Sequence, residues 1–109
     1  MKMKRFRTLN LAVKLYKRCY EIKTRRSIKD QLDRASLSIV LNLSEGSAKP
    51  SEKDRKRFYY IALGSLREVQ VILMLVGTIA DQILADKVGA HLYRLIHPKL
   101  KACPANGCC

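Results

Sequence analysis

The sequence predicts an all-α protein, an up-down antiparallel four-helix bundle. Three observations point there. Apolar residues recur at three- and four-residue steps in four separate segments, helix-start signals stand before three of them, and no credible strand or hairpin pattern occurs. At 109 residues the chain is one domain, with a core of Leu, Ile, Val and Ala rather than aromatics, since it has two Phe, five Tyr and no Trp. The bundle is assigned to residues 1–98 and a Cys-containing tail to 99–109.

The first helix is read over residues 8–24, with Leu9, Ala12, Val13, Tyr16, Cys19 and Tyr20 on its inner face. Lys14, Lys17, Arg18, Glu21 and Arg25 repeat with the same spacing on another face and make a basic stripe. For the second helix, Ser27 and Asp30 in "SIKD" form an S-x-x-D capping signal. Its stripe of Ile28, Leu32, Ala35, Ile39, Val40 and Leu43 runs to Gly46, a residue suited to a left-handed C-terminal position. Leu37 and Leu41 lie off that stripe, so this helix is expected to be buried on more than one side.

Ser51 and Asp54 in "SEKD" start the third helix, whose inner face is Phe58, Ala62, Leu66, Val69, Ile72, Leu73 and Val76, with Gly77 able to end it. Leu63, Val71 and Leu75 make it apolar elsewhere too. Thr78 and Asp81 in "TIAD" open the fourth, which carries Ile83, Leu84, Val88, Leu92, Leu95 and Ile96 to Pro98. Short connections imply antiparallel neighbours, and the surplus apolar surface on helices two and three implies a homo-oligomer.

Charge is the louder functional signal. Twenty-two Lys and Arg face nine acidic residues, a formal net charge of +13. Residues 1–26 carry +9 of it and "KPSEKDRKR" (49–57) carries +3. So basic a chain is expected to meet a polyanion. Lys14, Lys17, Arg18, Arg25 and Arg26, with Lys49, Lys53, Arg55 and Lys56, are the residues expected to contact RNA or DNA phosphates. Lys14, Lys17 and Arg18 interrupt the stretch that would otherwise follow "MKMKRFR" as an export signal, and the longest apolar run, "VQVILMLVGTIA", falls short of the roughly 20 residues that span a bilayer. A cytoplasmic location with no membrane partner is expected.

Chemistry-bearing patterns are sparse. "GSAKPS" offers Gly, Lys and hydroxyls before a helix start, but the phosphate loop G-x-x-x-x-G-K-[ST] needs a second Gly and a preceding strand. The segment reads first as a corner, with phosphate contact as a second possibility. Some small helical ribonucleases pair an Arg with a His four to six residues on; here Arg94 precedes His97 by three. No H-E-x-x-H or Cys–His–Asp grouping occurs, and Cys103, Cys108 and Cys109 lack the second pair that a zinc site requires. Asp30 and Asp33 pair naturally with Arg34 and Lys29. No catalytic residue, metal site or cofactor is expected.

"R-A-S-x-S-I…N-L-S-E-G" followed by "R-F-Y-Y-I-A-L-G-S-L-R-E", with "VGAHLYRLI" further on, resembles the four-helix-bundle proteins encoded in intervening sequences of bacterial 23S ribosomal RNA genes. Their relatives include the accessory variability proteins of diversity-generating retroelements. The resemblance spans about residues 5–97. It implies a ring-like homopentamer whose basic surface binds RNA or DNA without sequence readout and, in the retroelement branch, holds a reverse transcriptase. The competing reading is an adaptor that docks such an enzyme with little nucleic-acid affinity of its own. The short connection between helices three and four and the Cys-rich tail depart from the family pattern. Within the motif, Gly64 and Ser65 are expected to admit a neighbouring backbone. Glu45, Arg57 and Glu68 border apolar faces and suit ion pairs between helices or subunits. With Gly46 and Phe58 these make the expected structural or oligomer-interface set.

Overall fold

Met, Lys and Arg are good helix formers, and in the computed structural model the first helix, α1 (Lys2–Glu21), begins six residues before the predicted start. The structure describes residues 2–98, with side chains from Arg5 onward; the tail cysteines lie outside that range. Helix α1 also ends before residue 24, because Lys29 closes it from the next helix. The Lys29 ammonium donates to the carbonyls of Cys19 at 2.9 Å and Tyr20 at 2.7 Å in the last turn of α1, where the Cys19 carbonyl also accepts the Ile22 N–H at 3.1 Å. Arg25 therefore belongs to the linker, and the basic stripe on α1 stops short of it.

That contact also governs the start of α2 (Arg26–Ser47). Its N-cap is Arg25, without any side-chain cap, and the expected cap Ser27 sits exposed inside the first turn. With Lys29 bound to α1, the helix starts where the inter-helix contact places it and not where the local signal stands. The other end differs as well. Gly46 is inside the helix, and the C-cap Ala48 is right-handed at φ −85°, ψ −11°. Gly46 is needed for packing: a Cβ there would lie 2.9 Å from Cε1 of Tyr59 and 3.0 Å from Cβ of Phe58.

The two later start signals function as such. Ser51 Oγ accepts the Asp54 N–H at 3.4 Å to begin α3 (Glu52–Val76). Thr78 and Asp81 form a complete capping box at the start of α4 (Ile79–Ile96), each side chain accepting the other's backbone N–H at 3.1 Å. Gly77 ends α3 in extended backbone, where a Cβ would meet Leu73 Cδ2 at 2.8 Å.

The four helices pack as a square: α1 touches α2 and α4, and α3 touches α2 and α4. Arg5 near the start of α1 lies with Glu52 at the start of α3 and Arg94 near the end of α4, which fixes the up-down order. Leu15, Leu32, Leu43, Leu66, Leu73 and Leu92 are fully buried. The inner face of α1 is Thr8, Ala12, Leu15 and Cys19, so Leu15 joins the predicted face while Tyr20 leaves it at 64% exposed. Cys19 is the small core residue its position suggested.

The wide apolar arcs are not covered within the chain. Leu37 and Leu41 on α2, Tyr60, Ile61, Val71, Met74 and Leu75 on α3, and Ile79 and Ile83 on α4 are all exposed. By length and composition α3 is apolar enough to cross a bilayer, although Arg67 and Glu68 break its apolar run. It nevertheless supplies Ala62, Leu66, Val69 and Leu73 to the bundle core.

Candidate nucleic-acid interface

The nine predicted cations do not form one patch. The up-down order sends Arg25 and Arg26 to the end of the bundle where α1 finishes, and Lys49, Lys53, Arg55 and Lys56 to the end where it starts. A helix of 20 residues separates the two by about 30 Å. Lys14 and Lys17, both exposed on α1, lie between them.

Several of these cations also have structural partners. Arg18 contacts the buried Asp81 of α4, with Nη2 at 2.7 Å and Nε at 3.0 Å from the same Oδ1. Burial alone would raise the Asp81 carboxyl. Hydrogen bonding with the Thr78 backbone and hydroxyl and with the Arg18 guanidinium outweighs it and holds the group below the usual carboxylate range. Lys49 pairs with Glu45 at 3.0 Å and also lies over the Phe58 ring at 5.3 Å. Arg57 faces the same ring at 5.2 Å. Arg55 donates to the carbonyls of Lys49 at 3.1 Å and Pro50 at 2.8 Å, bracing the corner that follows α2. By contrast, the side chains of Lys14, Lys17, Arg26 and Lys53 are exposed and have no partner among the described residues.

The motif residues separate by location. Ser65 hydroxyl meets Ser38 of α2 at 2.7 Å, and Asn42 donates to the same Ser38 hydroxyl at 3.1 Å. The contact joins α2 to α3 through side-chain hydroxyls. Gly64, next to it, faces open space, so the expectation that it admits a neighbour is not met inside the chain. Gly46 acts within the bundle, and Glu45 pairs with Lys49 just past the end of its own helix. Exposed Glu68 and Arg67 border an apolar groove made by Ile28, Val71, Ile72 and Leu75. Lys29 pairs with Asp33 at 3.0 Å, as expected.

Two cations escaped the sequence reading. Arg5 and Arg94 line a cleft with Arg55 and Lys56. Topology was the available signal, because an up-down bundle brings the starts of α1 and α3 to the end of α4. The histidines have local surroundings: the His97 ring packs against Tyr93 with centroids 4.5 Å apart and planes tilted by 50°. His91 is pushed below the usual imidazole range by burial, then by Arg94, Lys87 and Arg7. Among the described residues, no group of three His, Cys, Asp or Glu is placed to hold a metal ion.

No curated protein and no solved structure matches the chain. A protein-family model described as 23S rRNA-intervening sequence protein matches residues 4–95. That span takes in all of α2, α3 and the Ser38–Ser65 contact, together with nearly all of α1 and α4. The chain therefore belongs to the 23S rRNA-intervening sequence protein family.

Proposed function

We propose that this protein is a non-enzymatic, nucleic-acid-binding homo-oligomer of the cytoplasm. It assembles as a pentamer and serves as an accessory to RNA or to a retroelement reverse transcriptase. The observation that carries this reading is the unneutralised charge: a chain of net +13 presents Lys14, Lys17, Arg26 and Lys53 to solvent without protein partners. Cations of this kind bind phosphates through charge and reach, without a shaped pocket. The split between two bundle ends favours a ligand at least as long as the 30 Å or so between them.

The exposed apolar residues Tyr60, Ile61, Val71, Met74 and Leu75, concentrated along α3 with Arg67 and Glu68 among them, support assembly, since apolar residues gathered on one face with polar neighbours suit an interaction surface. Repetition of weak basic patches around an assembly would supply avidity in place of a deep site.

The test is a charge reversal, Lys14→Glu with Lys17→Glu and Lys53→Glu, in a protein whose helicity is checked by circular dichroism. Arg18 is left out because reversing it would strand Asp81. Loss of RNA and DNA binding with retained helicity is the expected result. Retained binding would overturn the reading. Loss of reverse transcriptase binding without any prior nucleic-acid affinity would favour the adaptor.

A further inference from the structure

At the bundle end where α1 and α3 begin and α4 finishes lies a cavity of about 260 Å³. That is close to the lower end of ligand pockets, which run to roughly 300–1,000 Å³. Four cations line it, Arg5, Arg55, Lys56 and Arg94, against the single carboxylate of Glu52. They come from three helices far apart in sequence, so the cluster is a product of the fold and not of one charge run.

Two of the four are oriented by neutral groups. Arg5 donates to the Ser47 carbonyl at 3.4 Å, and Arg55 donates to the carbonyls of Lys49 and Pro50. A carbonyl fixes a guanidinium without cancelling its charge, and each guanidinium has five N–H donors, so others remain for a ligand. Lys56 and Arg94 have no hydrogen-bond or ion-pair partner among the described residues. Tyr59 also lines the cleft, only 2% exposed and tied through its hydroxyl to Ser47 at 3.2 Å. The cleft is therefore built on a buried, fixed side chain.

Converging like charges repel, and an anion placed among them relieves that repulsion. Arginine forks match the oxygens of a phosphate. A concave site with an excess of three positive charges favours a group that carries two negative charges and three free oxygens over an internal diester, which carries one charge. We infer that this cleft binds a phosphate monoester, the terminal phosphate of either a free nucleotide or a nucleic-acid strand. The strand-end source rests on the nucleic-acid reading above; the cleft itself does not.

The first experiment titrates the full chain with AMP and with inorganic phosphate at low salt, with adenosine as the uncharged control. AMP and phosphate should saturate one site per chain, and adenosine should not bind. Arg94→Ala and Lys56→Ala should each weaken AMP about tenfold or more, the effect of losing a hydrogen bond to a charged group. Glu52→Gln should tighten binding. Lys87→Ala, which removes the same charge from α4 outside the cleft, should leave it unchanged. Absence of saturable AMP binding, or equal loss in Lys87→Ala and Arg94→Ala, would overturn the proposal. A second experiment compares 5′-phosphorylated and 5′-hydroxyl oligonucleotides of one sequence. A preference for the phosphorylated strand that Arg94→Ala abolishes identifies the strand end as the source. Equal strand affinities beside intact AMP binding identify the free nucleotide. AMP binding without strand binding removes the nucleic-acid reading and leaves the cleft standing.

Discussion

Arg18 near the end of α1 holds Asp81 in the first turn of α4 at 2.7 Å, and the same carboxylate closes its own helix by accepting the Thr78 N–H at 3.1 Å. One buried carboxylate thus caps α4 and ties it to α1. Breaking a buried ion pair from one side costs about 3–5 kcal/mol, but the Arg18 side chain is 45% exposed and solvent screens part of the attraction. Asp81→Asn should therefore cost about 2–3 kcal/mol in denaturant unfolding at pH 7, cap included. Because the folded carboxyl lies below its ordinary range, its contribution is present above the unfolded value of about 3.9 and is lost as pH falls through the folded one. Unfolding of Asp81→Asn should therefore depend less on pH over that acid range than unfolding of the parent chain.

Gly46 and Gly64 should respond in opposite ways. An added methyl at Gly46 enters the Tyr59 ring and Phe58, so Gly46→Ala should cost about 1–3 kcal/mol by overpacking. Nothing lies within 4 Å of a Cβ at Gly64. Gly64→Ala should be neutral or stabilise the isolated chain by up to about 1 kcal/mol, through helix propensity. Thermal melts of the two variants under identical conditions check the contrast.

Cys19 should be inert while the bundle is folded. Burial, and secondarily the nearby Asp81 charge, push its thiol up to about 12, so little reactive thiolate exists at pH 8. With Cys103, Cys108 and Cys109 replaced by Ser, a thiol reagent should modify the protein only at the rate of bundle opening. Immediate reaction would contradict the placement of Cys19 in the core.

The exposed apolar residues of α3 predict self-association. Met74→Glu and Leu75→Glu alter two side chains that are each 71% exposed, so the fold of the single chain should survive. Sedimentation velocity should show the parent chain as an oligomer and the double variant as a helical monomer. A monomeric parent chain would remove the assembly part of the account.

Much of the fold was legible because helices announce themselves locally. The Ser51 and Thr78 caps and most of the inner faces of α2 and α3 follow from spacing alone, although on α3 the buried aromatic is Tyr59 and Phe58 is half-buried. What misled was tertiary. Ser27 is an adequate cap, yet the Lys29 bonds to α1 set the start of α2. Gly46 carries a C-terminal signature but is a glycine because the Tyr59 ring needs the space. For the site, sequence identified the cations but not their grouping. Arg18 had no visible reason to seek Asp81, 63 residues away, and Arg5 and Arg94 meet only once the chain has turned three times.

Binding to nucleic-acid phosphates by unneutralised surface charge should show itself in the salt dependence of affinity. Fluorescence anisotropy with an RNA and a DNA of the same sequence, between about 50 and 200 mM salt, measures it. Log K should fall linearly with log salt, with a slope near −0.9 per contacted phosphate for duplex DNA and about −0.7 for single strands, and should change little when the sequence is scrambled. Affinity that stays flat across that range, or no binding even at the lowest salt, would contradict it.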